Sequence, residues 1–297
     1  MKAKRRFNIW LWVPLCVLCL LASCDHDVHD GEDEGGLSVS LTWADEADQG
    51  TEVKDVKLWI FNADKGSLIE EKHYGSTEEV ASQRFELPEG TYRILTTTNL
   101  TEPFFISEQT RSLTNWNNIQ IGLTNPKDVR NNTYFGVTDV KIDNKEGNYV
   151  VQNPIRNVLP ELTVIIENVP KGTEMSGKAL DCAWCLFPTL KNSDGEYGLP
   201  SIEPTEVELP TLLATESTLK SEVIRLMPTI QRSSASHVYL RLLLPTGTLQ
   251  EFDITAPKMN VGGKYELRFK YEEMRPKMNL DATINGWTNL NNEVETK

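Results

Sequence analysis

From residue 37 onward the chain reads as strand after strand. Leu37, Val39, Leu41 and Trp43 alternate with polar residues, as do Val56, Leu58 and Ile60. A period of two gives each strand one buried face and one wet face. Asn62-Ala63-Asp64-Lys65-Gly66 is a turn between two such strands. Phe85 and Leu87 alternate up to Pro88-Glu89-Gly90, and Tyr92 and Ile94 continue beyond it. Leu162, Val164 and Ile166 point one way, Thr163 and Glu167 the other. Val238, Leu240, Leu242 and Leu244 make a further face, and residues 179–187 read as a strand. The clearest alternation sets Tyr265, Leu267, Phe269 and Tyr271 against Glu266, Arg268, Lys270 and Glu272. Leu280, Ala282 and Ile284 predict a strand that closes its own domain, with Trp287 covering the end and a polar, mobile stretch from Thr288 on; completing a neighbour's sheet is the alternative. Residues 211–227 are the one place where a short helix is expected.

Two stretches echo each other. Phe85-Glu86-Leu87 precedes Gly90-Thr91-Tyr92-Arg93-Ile94, and Phe252-Asp253-Ile254 precedes Gly263-Lys264-Tyr265-Glu266-Leu267. In both, a strand ends, glycine makes the turn and tyrosine leads the returning strand. With the strand pattern, this predicts an all-β chain of two antiparallel, Ig-like β-sandwiches, residues 37–155 and 156–297, joined between Asn153 and Pro160.

The N-terminus is built differently. Lys2, Lys4, Arg5 and Arg6 form a positive region, and Ile9 to Leu21 is an apolar core too short for a comfortable membrane span. Leu21-Ala22-Ser23-Cys24 then resembles the lipobox of bacterial lipoproteins. That resemblance implies removal of residues 1–23 as a signal peptide and a diacylglyceryl group on the Cys24 thiol; an ordinary signal peptide or N-terminal anchor is the alternative. Each buried acyl methylene contributes about 0.8 kcal/mol, and two or three chains hold a protein essentially permanently. Residues 24–36, with Asp-His-Asp-Val-His-Asp-Gly-Glu-Asp-Glu-Gly-Gly after the cysteine, are too polar and glycine-rich to pack and read as an acidic tether. His26 and His29 among these carboxylates read as part of a flexible leash before they read as metal ligands, because a disordered site must order itself to bind.

Losing the four N-terminal cations takes the formal charge from −13 to −17. Such a chain repels nucleic-acid phosphates and anionic lipid head groups, so neither is expected as a partner. About 270 residues remain, enough for two domains with cores of their own. Of the five cysteines, only Cys182 and Cys185 fall in the folded part, so this is not a disulfide scaffold. In a flat strand they would face opposite ways; a bulge or turn could bring them into a local disulfide, and a redox or metal role is the remaining alternative.

Nothing catalytic stands out. There is no Gly-x-Ser-x-Gly elbow, no phosphate-binding glycine loop and no His-Glu-x-x-His helix. His73 and His237 are the only histidines in the folded part, and His237, beside Ser233, Ser234 and Ser236, reads as a strand-end residue before it reads as a base. No cofactor and no metal site is expected. Trp116, Phe104 and Trp287 are candidates to stack on sugar rings, against the alternative that they fill the core.

Taken in order, the pieces resemble the fimbrial anchor lipoproteins of the Bacteroidetes, and a related set of uncharacterised lipoproteins. They are the lipobox cysteine; Leu37 to Trp43; Val56-Lys57-Leu58-Trp59-Ile60-Phe61 running into Asp64-Lys65-Gly66; Leu87-Pro88-Glu89-Gly90-Thr91-Tyr92-Arg93-Ile94 followed by Thr98-Asn99; Tyr134-Phe135-Gly136; and Arg156-Asn157-Val158 leading to Leu162. The acidic residues after Cys24 also resemble a surface-export signal of such lipoproteins. The family resemblance implies two transthyretin-like sandwiches, a place on the outer membrane, fimbrial subunits as partners and a non-enzymatic role, exercised by adding a neighbour's strand to an open edge or groove. A surface glycan-binding lipoprotein of a nutrient-uptake system is the alternative. Residues 191–229 match nothing in the family pattern.

Overall fold

A computed structural model describes residues 36–107, 114–124, 132–274 and 288–289. In chain order the elements are β1 (Gly36–Trp43), β2 (Val56–Asn62), β3 (Leu68–Tyr74), α1 (Thr77–Ala81), β4 (Gly90–Thr98), β5 (Phe104–Ser107), β6 (Gln120–Leu123), β7 (Tyr134–Ile142), β8 (Asn148–Asn157), β9 (Glu161–Glu167), β10 (Glu174–Ala183), β11 (Cys185–Lys191), β12 (Tyr197–Pro200), β13 (Pro204–Leu213), β14 (Thr218–Lys220), β15 (Ile224–Arg225), β16 (Ala235–Leu243), β17 (Leu249–Pro257), β18 (Lys264–Lys270), α2 (Tyr271–Met274) and β19 (Thr288–Asn289).

They form four sheets. Six strands in the order β1-β8-β7-β4-β2-β3 make the first, and β13-β10-β16-β17 and β14-β9-β18-β19 make two more, with β15 also on β9. The fourth sheet, β12-β11-β6-β5, draws strands from both halves of the sequence. Cys185 and Leu186 of β11 pair with Gly122 and Ile121 of β6. Two strands of the first half and two of the second are thus hydrogen-bonded into one layer.

Most pairings are antiparallel, as the alternation implied, but two are parallel. β1 runs beside β8 from Gly36↔Asn148 to Trp43↔Ile155, and β9 runs beside β18 from Glu161↔Lys264 to Glu167↔Lys270. Each half therefore lays its first strand parallel to a late one, β8 in the first half and β18 in the second, with the short β19 following β18. The internal repeat has a local cause. Tyr92 donates its hydroxyl hydrogen to the Pro88 carbonyl at 2.6 Å, and Tyr265 accepts from the Asn260 amide at 2.8 Å. Tyr149, which the sequence reading passed over, accepts from the Asp143 and Asn144 amides at 2.9 Å each. In Gly147-Asn148-Tyr149 and Gly263-Lys264-Tyr265 the ring lies over the glycine, where a Cβ would approach it to 2.7 and 2.6 Å. These two motifs open β8 and β18, the parallel partners of β1 and β9, so Gly147-Asn148-Tyr149 is the topological counterpart of Gly263-Lys264-Tyr265.

The second half is a sandwich with one continuous core. Met175, Ala179, Val207, Leu209, Val238, Leu240, Leu242 and Ile254 face Leu162, Val164, Ile166, Leu219, Tyr265 and Leu267, and Phe104, Ile121, Leu123 and Phe135 extend that core into the first half. The six-stranded sheet is apolar on both faces. Val56, Leu58, Ile60, Tyr92 and Ile94 pack under Val80 of α1 and under Phe85 and Leu87. α1 is started by Ser76, whose hydroxyl accepts from the Glu79 amide at 3.3 Å. On the opposite face Trp59, Phe61 and Leu95 pack with Ile119. The alternation marked only the first of these faces, because Trp59 and Phe61 occupy its nominally wet positions.

The helix expected over residues 211–227 is not formed. β13, β14 and β15 occupy this span, and Thr218–Lys220 and Ile224–Arg225 pair with β9. Leu219, Ile224, Leu226 and Met227 turn inward, and the backbone bonds go to β9, where tertiary pairing overrides local preference. The start of the tail expected to be mobile is paired: Thr288 and Asn289 lie opposite Glu266 and Tyr265, on the edge of β18 that β9 leaves open. The strand expected over residues 280–284 and Trp287 lie outside the described residues.

Burial on both faces of β2 has a measurable consequence. Trp59 is fully buried on the face that simple alternation assigns to solvent, so Trp59→Ala should cost about 3–5 kcal/mol. Urea melts of the two proteins check this; a loss near zero would place Trp59 in water.

Candidate functional site at the joint of the two halves

At the corner where β10 becomes β11 the chain leaves one sheet and enters the next. Trp184 sits at the corner, and the backbone of β10 slips register between Ala179 and Cys182, with Asp181 at φ 57°. This bulge lets one continuous run serve two layers. Cys182 and Cys185 flank the corner with free, buried thiols, so the local disulfide named as an alternative is absent. Burial, with the neighbouring Asp181 charge adding to it, pushes the Cys182 thiol up to about 12, and burial also raises Cys185. Such thiols stay protonated and inert at neutral pH.

Where the mixed sheet meets the Trp59 face, five side chains from five elements converge. Arg93 of β4 lies opposite Asp139 of β7, and its Nε and Nη2 donate to the two carboxylate oxygens at 2.7 and 3.4 Å. The guanidinium carbon stands 3.4 Å from the centre of the Trp116 ring and 5.0 Å from that of Tyr197 in β12. The Tyr197 hydroxyl donates to Asp139 Oδ2 at 2.7 Å, and the Lys191 ammonium lies 4.8 Å from the Tyr197 ring. Burial opposes charge on Asp139, but hydrogen bonds from Arg93 and Tyr197, with the charges of Arg93 and Lys191, outweigh it and hold the carboxyl below its usual range. Tyr197 is pushed up, by burial first and then by its bond to Asp139. The Thr189 hydroxyl donates to the Trp116 carbonyl, closing the node from β11.

A second set of contacts joins the halves at the end of β1. Lys264 Nζ of β18 meets Asp45 Oδ2 at 2.9 Å, and Arg225 bridges Glu161 at 3.5 Å and Asn132. Trp43 sets its ring edge-on to Tyr134, centroids 5.0 Å apart. A cleft of about 510 Å³ opens beside them, lined among others by Leu41, Trp43, Thr51, Lys54 and Ser76.

Of the residues marked from sequence, Phe104 is buried in the core at 5% exposure. Trp116 is half-buried with one ring face under Arg93. Neither offers the open platform a sugar needs, so two of the three candidate stacking rings are spoken for by packing. Trp287, His26, His29 and Cys24 lie outside the described residues. His73 is held by Asp55, and His237 Nδ1 by Asp181 Oδ2 at 2.7 Å. Among the described residues no group of three His, Cys, Asp or Glu side chains is placed to hold a metal ion, and no helix is long and apolar enough to cross a membrane. The sequence reading missed Arg93, Asp139 and Tyr197. Their one early trace is Tyr92-Arg93-Ile94, which puts a cation at a strand centre between two buried residues.

Two measurements test this joint. Arg93→Ala should cost about 1–2 kcal/mol at neutral pH. Arg93→Lys should not restore the loss, since an ammonium lacks the planar fork. Because the folded pKa of Asp139 is depressed, its contribution is present above the ordinary Asp value of about 3.9 and is lost as pH falls through the folded value. The stability gap between wild type and Arg93→Ala should therefore narrow in melts taken to progressively lower pH; a gap independent of pH would overturn the assignment. For the cysteines, a thiol reagent should leave the folded soluble chain starting at Asp25 unmodified and label both Cys182 and Cys185 once it is unfolded. Rapid labelling of the folded protein would refute their burial.

The fold is shared by proteins of known structure. The fimbrial anchor protein Mfa2 of Porphyromonas gingivalis superposes with a TM-score of 0.55 at 16% identity, over 84% of this chain and 93% of that one. A candidate adhesin of Bacteroides thetaiotaomicron gives 0.54 at 11% identity, over 80% and 91%. A candidate polysaccharide-binding protein of the same species gives 0.51 at 10% identity, over 80% and 93%. At these identities the likeness is one of fold. Among curated protein sequences none matches this chain. The sequence does match the family model of the fimbrillin-A associated anchor proteins Mfa1 and Mfa2 over residues 24–293. That match takes in nearly the whole chain, and the protein belongs to this family of fimbrial anchor proteins.

Proposed function

We propose that the protein is a non-enzymatic accessory subunit that holds a surface fimbria to the outer membrane, tethered by a lipid on Cys24. The observation that carries this reading is the family match, which begins at Cys24 itself and runs through both sandwiches. Residues 1–23 are the signal peptide, 24–36 the acidic tether, and the folded part divides near residue 155 into two sandwiches that share the β12-β11-β6-β5 layer. Two or three acyl chains on Cys24 supply a hold that a single chain does not, and a surface of formal charge −17 adds no attraction for anionic lipid. The side chains able to do chemistry support a structural role, since Cys182, Cys185, Arg93 and Asp139 are all committed to packing or pairing.

Partners join by strand addition. The edge best suited is β17, which keeps unbroken register with β16 from Leu249↔Leu243 to Pro257↔Ala235 and has no neighbour on its other side among the described residues. The opposite edge of that sheet, β13, is blunted by Pro204 and Pro210. Leu243 and Leu249, register partners that are 41% and 45% exposed, add apolar surface at the start of the β17 edge.

Cys24→Ser tests the tether. It removes the thiol that accepts the diacylglyceryl group while leaving the folded part unaltered. Cells carrying it should release the protein from the membrane fraction and shed their fimbriae. Fimbriae in normal number, firmly attached to Cys24→Ser cells, would refute the anchor reading.

A further inference from the structure

The anchor reading implies tension along the chain, and the fold places its parallel strand pairs in the path of that tension. We propose that β1–β8 is a shear clamp that bears load between membrane and fimbria wherever on the second half the fimbria is gripped, and that β9–β18 repeats its geometry for a pull that reaches the end of β18. This inference rests on the tethered-anchor reading for its biological setting, though not for its mechanics.

Force from a tether enters at Gly36, the first residue of β1. The chain leaves the first half at Asn157, the last residue of β8. Because β1 and β8 are parallel, Gly36 lies beside Asn148 and Trp43 beside Ile155. The two points of pull are therefore at opposite ends of one strand pair. Tension slides β1 along β8 and strains all eight register positions together, so no bond yields until several do. In an antiparallel hairpin such as β2–β3, pulled from its open end, the bonds would break singly and in turn. The second half repeats the arrangement: a pull that enters β9 at Glu161 and leaves β18 just beyond Lys270 acts at opposite ends of seven parallel positions.

Each clamp is reinforced where it is loaded. The Gly36 amide donates to the Gly147 carbonyl at 2.9 Å, and Leu37 and Phe85 exchange backbone bonds of 3.0 and 2.9 Å on the other side of β1. Leu37 and Val39 are fully buried, as are Leu162, Val164, Ile166 and Leu267. Burial keeps water from competing for the backbone bonds behind them. At the far end of the second pair Arg268 Nη1 of β18 meets Glu167 Oε1 of β9 at 2.6 Å. Between the clamps, the Lys264–Asp45 contact ties the end of β1 to the start of β18. The tyrosine hooks at Tyr149 and Tyr265 fix the start of β8 and β18, so each of these strands is held in register before load arrives.

Single-molecule force spectroscopy on the soluble chain starting at Asp25 tests the proposal. In one geometry, end-to-end across the two pairs, the handles are at the N-terminus and at Glu272→Cys, an exposed position just past β18, which loads both pairs in shear. In the other, one handle is at the N-terminus and the second at Lys145→Cys, an exposed position in the turn before β8. That places both pulls at the same end of β1–β8 and peels it. The buried thiols of Cys182 and Cys185 leave the new cysteine as the reactive one. We expect the first rupture to need several-fold more force in the end-to-end geometry than in the peeling geometry. Equal forces, or a weaker end-to-end rupture, would overturn the clamp. A second variant pair, Ser38→Cys with Val150→Cys, links register partners of β1 and β8; once oxidised, it should abolish the peeling rupture and, in the end-to-end geometry, leave the second-half rupture in place. Loss of the peeling rupture without the cross-link would count against the assignment. The two readings fail separately, since a refuted Cys24 tether leaves the force asymmetry untouched, and equal rupture forces leave the tether untouched.

Discussion

The hydrogen bonds between β6 and β11 tie residues from the first half of the sequence to residues from the second, and much else in the molecule is arranged around them. For β11 to reach β6, the strand that began as β10 must turn out of its own sandwich. It does so at Trp184, with a register slip just before and two cysteines at the corner. Once β11 and β12 lie beside β5 and β6, the second face of the six-stranded sheet has a partner layer. Trp59, Phe61 and Leu95 can then be buried there. A sheet apolar on both faces is tolerable only when both are covered, so the shared layer is what makes the sequence of β2 permissible. The Arg93 node fills the seam this creates, where polar groups from the two halves would otherwise be stripped of water without partners.

What the sequence made legible, and what it hid, follows from the same constraint. Strands with one wet face announced themselves. Val56, Leu58 and Ile60 read correctly as core, and so did Leu162, Val164 and Ile166 and the run from Val238 to Leu242. Trp59 and Phe61 could not be assigned, because alternation records a difference between faces and β2 has little. Thr96, Thr97 and Thr98 are fully buried although threonine is mostly an exposed residue type. Asn153 Nδ2 donates to Thr96 Oγ1 at 2.9 Å within that patch. Such burial depends on β7 pairing beside β4 in the same sheet and β8 lying beyond it, a long-range fact that no local window contains. The span 211–227 shows the converse failure: its strands are too short to display alternation, and their pairing with β9 is again a long-range fact.

The candidate site was less legible than the fold. Aromatic rings were visible as letters, but their use was not. Phe104 and Trp116 carry the same chemistry whether they face sugar, core or guanidinium, and only the placement of Arg93 decides for Trp116. The pairing of Arg93 with Asp139 spans two strands, and Tyr197 arrives from a third element far along the chain. The repeated glycine and tyrosine were read as one recurring hairpin. They prove to be a device for fixing the start of a strand, used at β4, β8 and β18, and the recurrence at Gly147-Asn148-Tyr149 is the one that matches β18 in topology.

A protein held at one end and pulled at the other places unusual demands on a β fold. Stability at equilibrium depends on the sum of burial and bonding, whichever order the contacts break in. Resistance to a directed pull depends on how many contacts must break at once, and that is set by strand direction. An antiparallel meander, the simplest way to build a half from sequential strands, brings neighbouring chain ends to the same side and lets them unzip. Setting β1 beside β8 and β9 beside β18 in parallel needs a longer path, since the chain must cross the layer to return in the same direction. Both halves take that path, despite differing in strand number and in how their second layers are built. A feature that recurs where the surrounding architecture does not belongs to the strand topology itself, and it fixes the direction in which each half resists a pull.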